Sequence, residues 1–280
     1  MKIVRLRNSA YFVPLLSLAL LGLLTWPVWR WLWGEWWHND YYSHGPLILP
    51  IAAYLAWRRW PSPSERARGD QRGLFLVASG VGLFLLFSTL KTTYLAAFAT
   101  IVVLGGLAWT FGGPELLRRL AFPLAFLGLM VPLPFIERAT LPLALWTGAC
   151  SGWLAQRLGL AASVNGAAIT LPDTTLVIGA PCSGINSIIS LITLTTLAAY
   201  VLHGPLWGRL ALVGLAVPLA MLGNILRVAN LLWVAHYLGD EAAFRFYHDY
   251  SGPLFFVVAM LLLIPLARLF RCETPRFEVL

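Results

Sequence analysis

Residues 73–90 read GLFLVASGVGLFLLFSTL, and residues 93–111 read TYLAAFATIVVLGGLAWTF. Neither stretch contains Asp, Glu, Lys or Arg. Each matches the run of about twenty apolar residues that one helix needs to cross a bilayer core. No water is present there to satisfy a backbone N–H or C=O, so a spanning segment of this kind must be helical. Working outward, further apolar stretches lie near 11–30, 43–58, 119–135, 183–202, 208–237 and 251–268. The stretch at 43–58 is short and contains proline, whereas 208–237 is long enough to tilt or to project at one end. The expected fold is all-α: a single polytopic membrane helical bundle over residues 1–280, with about eight transmembrane helices.

Composition supports this reading. The chain is 59% hydrophobic and 11% charged, against about 25% charged in an ordinary soluble domain. A surface so poor in charge suits lipid as the solvent. The 20 Lys and Arg outnumber the 12 Asp and Glu, yet they sit between apolar runs as loop anchors and form no basic stripe for nucleic acid. Cys150, Cys182 and Cys272 are odd in number and lack metal-type spacing, so no metal or cofactor is implied. Lys2, Arg5 and Arg7 precede an apolar run from Tyr11 with no cleavage-type site, so an uncleaved first span is expected.

Basic residues set the orientation. With both termini cytoplasmic, Arg58, Arg59, Arg66, Arg68, Arg72, Arg118, Arg119, Arg209, Arg268, Arg271 and Arg276 join the three N-terminal cations inside. Only Arg30, Lys91, Arg138, Arg157, Arg227 and Arg245 fall elsewhere. Residues 31–42, 136–182 and 238–250 then face outward. Within the longest of these, 138–160 reads as a membrane-lying helix with Trp146 and Trp153 toward lipid. Asn165-Gly166 between β-branched stretches signals a small hairpin.

Three polar groups stand out against this apolar background. Cys182 lies where the outer loop meets the sixth span, and Ser183, Gly184, Asn186, Ser187 and Ser190 give that span a polar face. A thiol in a helix's first turn is biased toward thiolate, the nucleophilic form, although a small apolar filler is the plainer alternative. Asn224, Arg227 and Asn230 share one face of the seventh span. Arg227 there either faces a wet or partnered interior or snorkels to the outer headgroups. His248, amid Phe244, Phe246, Tyr247 and Tyr250, is either a base or an interfacial histidine, and His236 is its rival. His203 falls on the cytoplasmic side. In the first outer loop, Tyr42, Ser43 and His44 either cap the second span or line the outer mouth of the site. Cys182, Arg227 and His248 come from three spans but one leaflet, and a nucleophile, an oxyanion donor and a base are what acyl transfer needs.

Pro181-Cys182-Ser183-Gly184, Asn224-Ile225-Leu226-Arg227-Val228, His248 with Gly252, and Tyr42-Ser43-His44-Gly45 together resemble the exosortase/archaeosortase family of membrane cysteine transpeptidases, and its bacterial exosortases in particular. The resemblance implies a Cys-Arg-His site facing the periplasm from the bacterial inner membrane. It implies substrates that are exported proteins ending in a Pro-Glu-Pro-type motif, one membrane helix and a basic tail, cut near the motif and passed to a surface acceptor. By the same resemblance, Cys182 forms an acyl-thioester, Arg227 steadies the oxyanion and His248 moves protons. Arg227 as a proton donor is the other family-level view, and the guanidinium's very high pKa argues against it. Two rival readings are a transporter or channel with Arg227 in its pathway, and a non-catalytic assembly protein of an envelope polysaccharide system.

Overall fold

In the computed structural model, residues 2–62, 68–172, 174–179, 182–239, 241, 245 and 250–279 are described, with residues 2–11, 252 and 253 by their backbone only. The chain divides into two compact units, Met1–Leu133 with Phe277–Leu280, and Pro134–Arg276.

The first unit is helical. α1 (Lys2–Leu24) and α2 (Trp26–His38) meet at a 63° bend where one first span was expected. Pro27 has no N–H to give the Leu23 carbonyl, which breaks the ladder there. Buried Thr25 fills the corner, donating to the Leu21 carbonyl at 2.7 Å and accepting from Trp29 Nε1 at 3.1 Å. α3 (Gly45–Arg58) is 14 residues long, and α4 (Gly73–Thr89) packs along α5 (Thr93–Leu127). α5 takes in the expected span at 93–111 and the first half of that at 119–135, and it breaks at Gly113 (φ 73°), directly before Pro114. Pro disfavours helical backbone in the residue before it, so the break falls where the sequence demands it.

The second unit begins with α6 (Ile136–Arg157), the helix expected to lie in the membrane surface. Leu141, Leu145, Trp146 and Trp153 point outward, while Ala144, Thr147, Gly148, Ser151 and Ala155 are buried against the rest of the unit. The expected hairpin is present as β1 (Ser163–Asn165) and β2 (Ala168–Thr170), paired Val164 to Ile169, and β3 (Thr175–Val177) adds a third antiparallel strand. Gly166 (φ 61°) opens the two-residue turn, and the positive φ at its first central position is the type II′ requirement that glycine meets without strain.

α7 (Ile185–Val201), α8 (Leu206–Gly214), α9 (Ala216–Leu238) and α10 (Gly252–Leu269) follow. The expected long span at 208–237 is α8 and α9, interrupted at Leu215 because Pro218 leaves the Gly214 carbonyl without its helical partner. One core joins α6, the sheet and α9 through Ala155, Ile169, Ile178, Val228 and Leu232. A second joins α7 to α10 through Leu191, Leu212, Ala220, Leu263 and the buried Cys272. Past α10, β5 (Thr274–Pro275) pairs with β4 (Leu202–His203) at the far end of α7. This sets His203 about 25 Å from the start of that 17-residue helix.

Among the described residues, two helical segments are long and apolar enough to cross a membrane, Thr93–Met130 and Leu206–Leu238, or three if the bent α1–α2 pair counts as one span. Gly73–Thr89, Ile185–Val201 and Leu254–Leu269 are apolar but shorter. Helical architecture is therefore established, whereas eight full-length crossings are not. Two causes contribute: the bend at Thr25 and the continuous α5 change how apolar runs divide into helices, and α3, α4 and α7 are short, at 14, 17 and 17 residues.

Candidate active site

Cys182 is delivered by the small sheet. Ile178 N donates to the Ala167 carbonyl at 2.7 Å, which carries the sheet register one residue past β3, and Cys182 N closes a turn on the Gly179 carbonyl at 3.0 Å. Cys182 is half-buried at the edge of the core that joins α6, the sheet and α9. It sits two residues before Gly184, the N-cap of α7, and so precedes the first turn of that helix.

Gly184 is required where it stands. Its φ is +85°, and a Cβ added there would lie 2.9 Å from Asn224 Nδ2. Only glycine lets the chain turn into α7 while pressed against α9. Ser183 is fully buried beside it, and its hydroxyl faces the Ile185 N–H at 3.4 Å.

Asn224 ties the Cys182 segment to α9. Its Nδ2 donates to the Cys182 carbonyl at 2.7 Å and to Thr147 Oγ1 on α6 at 3.2 Å. The carbonyl acceptor fixes which end of the amide is nitrogen. Asn224 Oδ1 is then buried with no hydrogen-bond partner among the described residues. Arg227, one turn on, is half-buried and lines a cleft with Asn224, Gly223, Ser187, Phe255 and Phe256, between α7, α9 and α10. The cleft is narrow: its cavity volume is about 20 Å³, room for about one water molecule. The structure thus sets Arg227 in a mostly apolar groove, lined also by Leu191, Leu219, Ala220 and Ala259, in which Ser187 and Asn224 are the other polar side chains, and it joins the Cys182 backbone to the same turn of α9.

Other expected residues fall elsewhere. Asn230 is half-buried six residues beyond Asn224, and Asn186 is exposed with Ser190 Oγ 3.5 Å away. His236 lies nine residues from Arg227 on α9, about 13 Å along the axis and on the opposite face of the helix. Its ring stands edge-on to Tyr237 at 4.7 Å. His248 lies outside the described residues.

Tyr42, Ser43 and His44 belong to the first unit, where they build the start of α3. Asn39 Oδ1 accepts from Tyr41 N at 3.1 Å, and Ser43 Oγ donates to the Asp40 carbonyl at 3.2 Å. The buried Tyr42 stacks on His44 at 6.1 Å, and its hydroxyl accepts from Leu133 N at 3.0 Å.

Sequence reading missed Thr147 and Ser151. Both are fully buried on α6, and Ser151 Oγ donates to the Ile225 carbonyl at 3.2 Å. Two hydroxyls four residues apart on a small-residue face were the available signal, since such a face packs closely on a partner helix. Among the described residues, no group of His, Cys, Asp and Glu is arranged to hold a metal ion.

A family model described as transmembrane exosortase matches residues 36–265, a stretch that includes Cys182, Arg227 and His248. No curated protein and no solved structure gives a significant match. Because the matched region takes in most of the 280 residues, the chain belongs to the transmembrane exosortase family.

Proposed function

We propose that this family member is a membrane-embedded cysteine protease and transpeptidase, which cleaves the C-terminal sorting signals of exported proteins and transfers the new C-terminus to a surface acceptor. One observation carries the reading: a single buried side chain, Asn224, bonds the Cys182 carbonyl and also lines the groove that holds Arg227. Nucleophile and oxyanion donor are thereby anchored to one helical turn, as a reaction at one carbonyl requires.

In the proposed sequence the Cys182 thiolate attacks the scissile carbonyl carbon, and Arg227 holds the oxyanion that forms. The C–N bond then breaks, and the leaving amine takes the proton that His248 accepted from the thiol. The acyl group remains as a thioester until an acceptor nucleophile gives its proton to His248, attacks the carbonyl and expels the thiolate. His248 takes this role by family resemblance, and the position of His236 opposite Arg227 on α9 argues against the rival histidine. A substrate helix docking along α7, α9 and α10 presents its outer end to Cys182. The phenyl walls of Phe255 and Phe256 limit water there and favour transfer over hydrolysis. The proposal includes eight crossings, cytoplasmic termini, a bacterial inner membrane and a site facing the periplasm.

The test is coexpression of a tail-bearing candidate substrate with wild type and Cys182→Ala. Processing stops in the variant, and hydroxylamine releases an acyl adduct trapped on wild type. An unchanged processing pattern refutes the catalytic assignment and returns the groove to the transporter reading.

A further inference from the structure

The first unit holds a polar cleft, of about 670 Å³, at the end of α3. Arg58 and Arg59 sit at the C-terminal end of α3, where the negative end of the helix favours cations. Arg118 and Arg119 follow one turn after the Gly113–Pro114 break in α5, and Glu115, Glu278 and Trp60 also line the cleft. Glu115 is engaged by Arg118 at 2.8 Å and by Arg119 at 3.2 Å. Arg58 gives one N–H to the Phe277 carbonyl at 3.2 Å. The Nε of Arg59 is buried with no hydrogen-bond partner among the described residues. A buried charged donor lacking an acceptor is destabilising, and an anion in the cleft relieves it.

The margin of the cleft identifies the kind of anion. Trp57 and Trp60, 69% and 51% exposed, flank the two arginines, and Tyr54 stands beside Trp57 on the same outward face of α3. Indole and phenol rings gather at the headgroup level of a bilayer. An arginine-lined cleft edged by such rings suits a molecule that is anionic at one end and apolar at the other. Planar guanidinium forks match phosphate oxygens in pairs. We propose that this cleft binds the phosphate of an anionic phospholipid headgroup, with Arg58 and Arg59 as the principal donors. None of its residues takes part in the Cys182 chemistry, so the site stands apart from the proposed reaction.

The test uses full-length protein, delipidated in nonionic detergent and titrated with phosphatidylglycerol, with phosphatidylcholine of the same acyl chains, or with inorganic phosphate. Bound molecules are counted by native mass spectrometry. One phosphatidylglycerol should bind about tenfold or more tighter than phosphatidylcholine, and the preference should shrink with added NaCl. Removing both charges with Arg58→Gln and Arg59→Gln should weaken binding by about twenty-five-fold, at about fivefold per arginine. Arg30→Gln, at an exposed cation outside the cleft, should leave binding unchanged. Should the double variant not fold, Arg58→Lys with Arg59→Lys keeps the charge but loses the fork, and reduced affinity with the preference retained supports the site. Equal affinity of wild type for the two lipids, or a preference untouched by the glutamine pair, overturns the proposal. So does inorganic phosphate that competes as well as the lipid, because the ligand is then drawn from water and not from the bilayer.

Discussion

Replacing Asn224 with leucine tests the joint on which the candidate site is built. Leucine has nearly the same shape but no donors, so the Cys182 carbonyl loses its 2.7 Å partner and Thr147 Oγ1 its 3.2 Å partner. Withdrawing a partner from a buried polar group costs about 1–3 kcal/mol. In the local opening equilibrium of the segment around Cys182, that corresponds to a shift of roughly fivefold to a hundredfold. Cys182 is already half-buried and not sealed, so its exposure rises only in part and the lower end applies. The assay is the rate of maleimide alkylation at Cys182, measured with Cys150 and Cys272 changed to alanine. We expect alkylation to be about five to ten times faster in Asn224→Leu, with the thermal midpoint lowered by about 2–4 °C per kcal/mol lost. Thr147→Val removes only the longer bond and should give a smaller change in both. The reasoning is refuted if Asn224→Leu alkylates within about twofold of wild type and melts at the same temperature, for the bond would then hold nothing in place.

Arg227→Gln should lower transpeptidation by about 10²–10³-fold in kcat, the usual loss on removing an oxyanion donor, with Arg227→Lys intermediate; equal activity in all three would remove arginine from the chemistry. His236→Gln should leave processing within about twofold of wild type, because α9 turns that ring away from Arg227, whereas His248→Gln should stop it. Gly184→Ala forces a left-handed backbone on a residue with a Cβ and presses that Cβ against Asn224, so it should destabilise by about 1–2 kcal/mol or more, read as a lower thermal midpoint. Burial pushes the Cys272 thiol up, against a smaller opposing pull from Arg209. An acid held protonated by the fold gives stability that is complete below its unfolded pKa, about 8.5, and is lost as pH rises through the folded value. Thermal midpoints taken from pH 7 to pH 10 should therefore fall at the alkaline end, and fall less in Cys272→Ala.

Apolar runs made the helical class legible, and Asn165-Gly166 made the hairpin legible, because both are local signals. The helix breaks at Pro27, Gly113–Pro114 and Pro218 were written in the sequence too, yet a hydropathy reading passes over them because proline and glycine hardly alter mean apolarity. Spacing by three correctly grouped Asn224 and Arg227. It could not reveal that Asn224 reaches Cys182 and Thr147, which lie 42 and 77 positions away. The sequence also placed Cys182 in the first turn of the sixth span's helix, whereas Gly184, free to adopt φ +85°, starts α7 after it. Tyr42 and His44 were ambiguous for a physical reason: the same aromatic and polar residues can cap a helix or line a site, and only burial separates the two uses.

The insertion over residues 136–182 is better understood as the support of Cys182 than as a decoration on a helical bundle. Its helix α6 meets α9 through hydroxyls at two successive turns, with Thr147 on Asn224 and Ser151 on the Ile225 carbonyl. Its small residues allow that approach, while its tryptophans stay on the outward face. The sheet packs on the other flank of the same buried stripe, where an added Cβ at Gly152 would collide with Val164. β3 then runs within a few residues into Cys182. A reactive group set on a free loop would sample many positions, and each rotatable residue between it and a fixed element adds entropy that the reaction must overcome. Here the chain leaves a three-stranded sheet, turns once, and is caught by a buried amide before α7 begins. That is why Thr147, Ser151 and Asn224 are worth burying in so apolar a chain: they hold α6 and the Cys182 backbone to the helix that carries the Arg227 guanidinium.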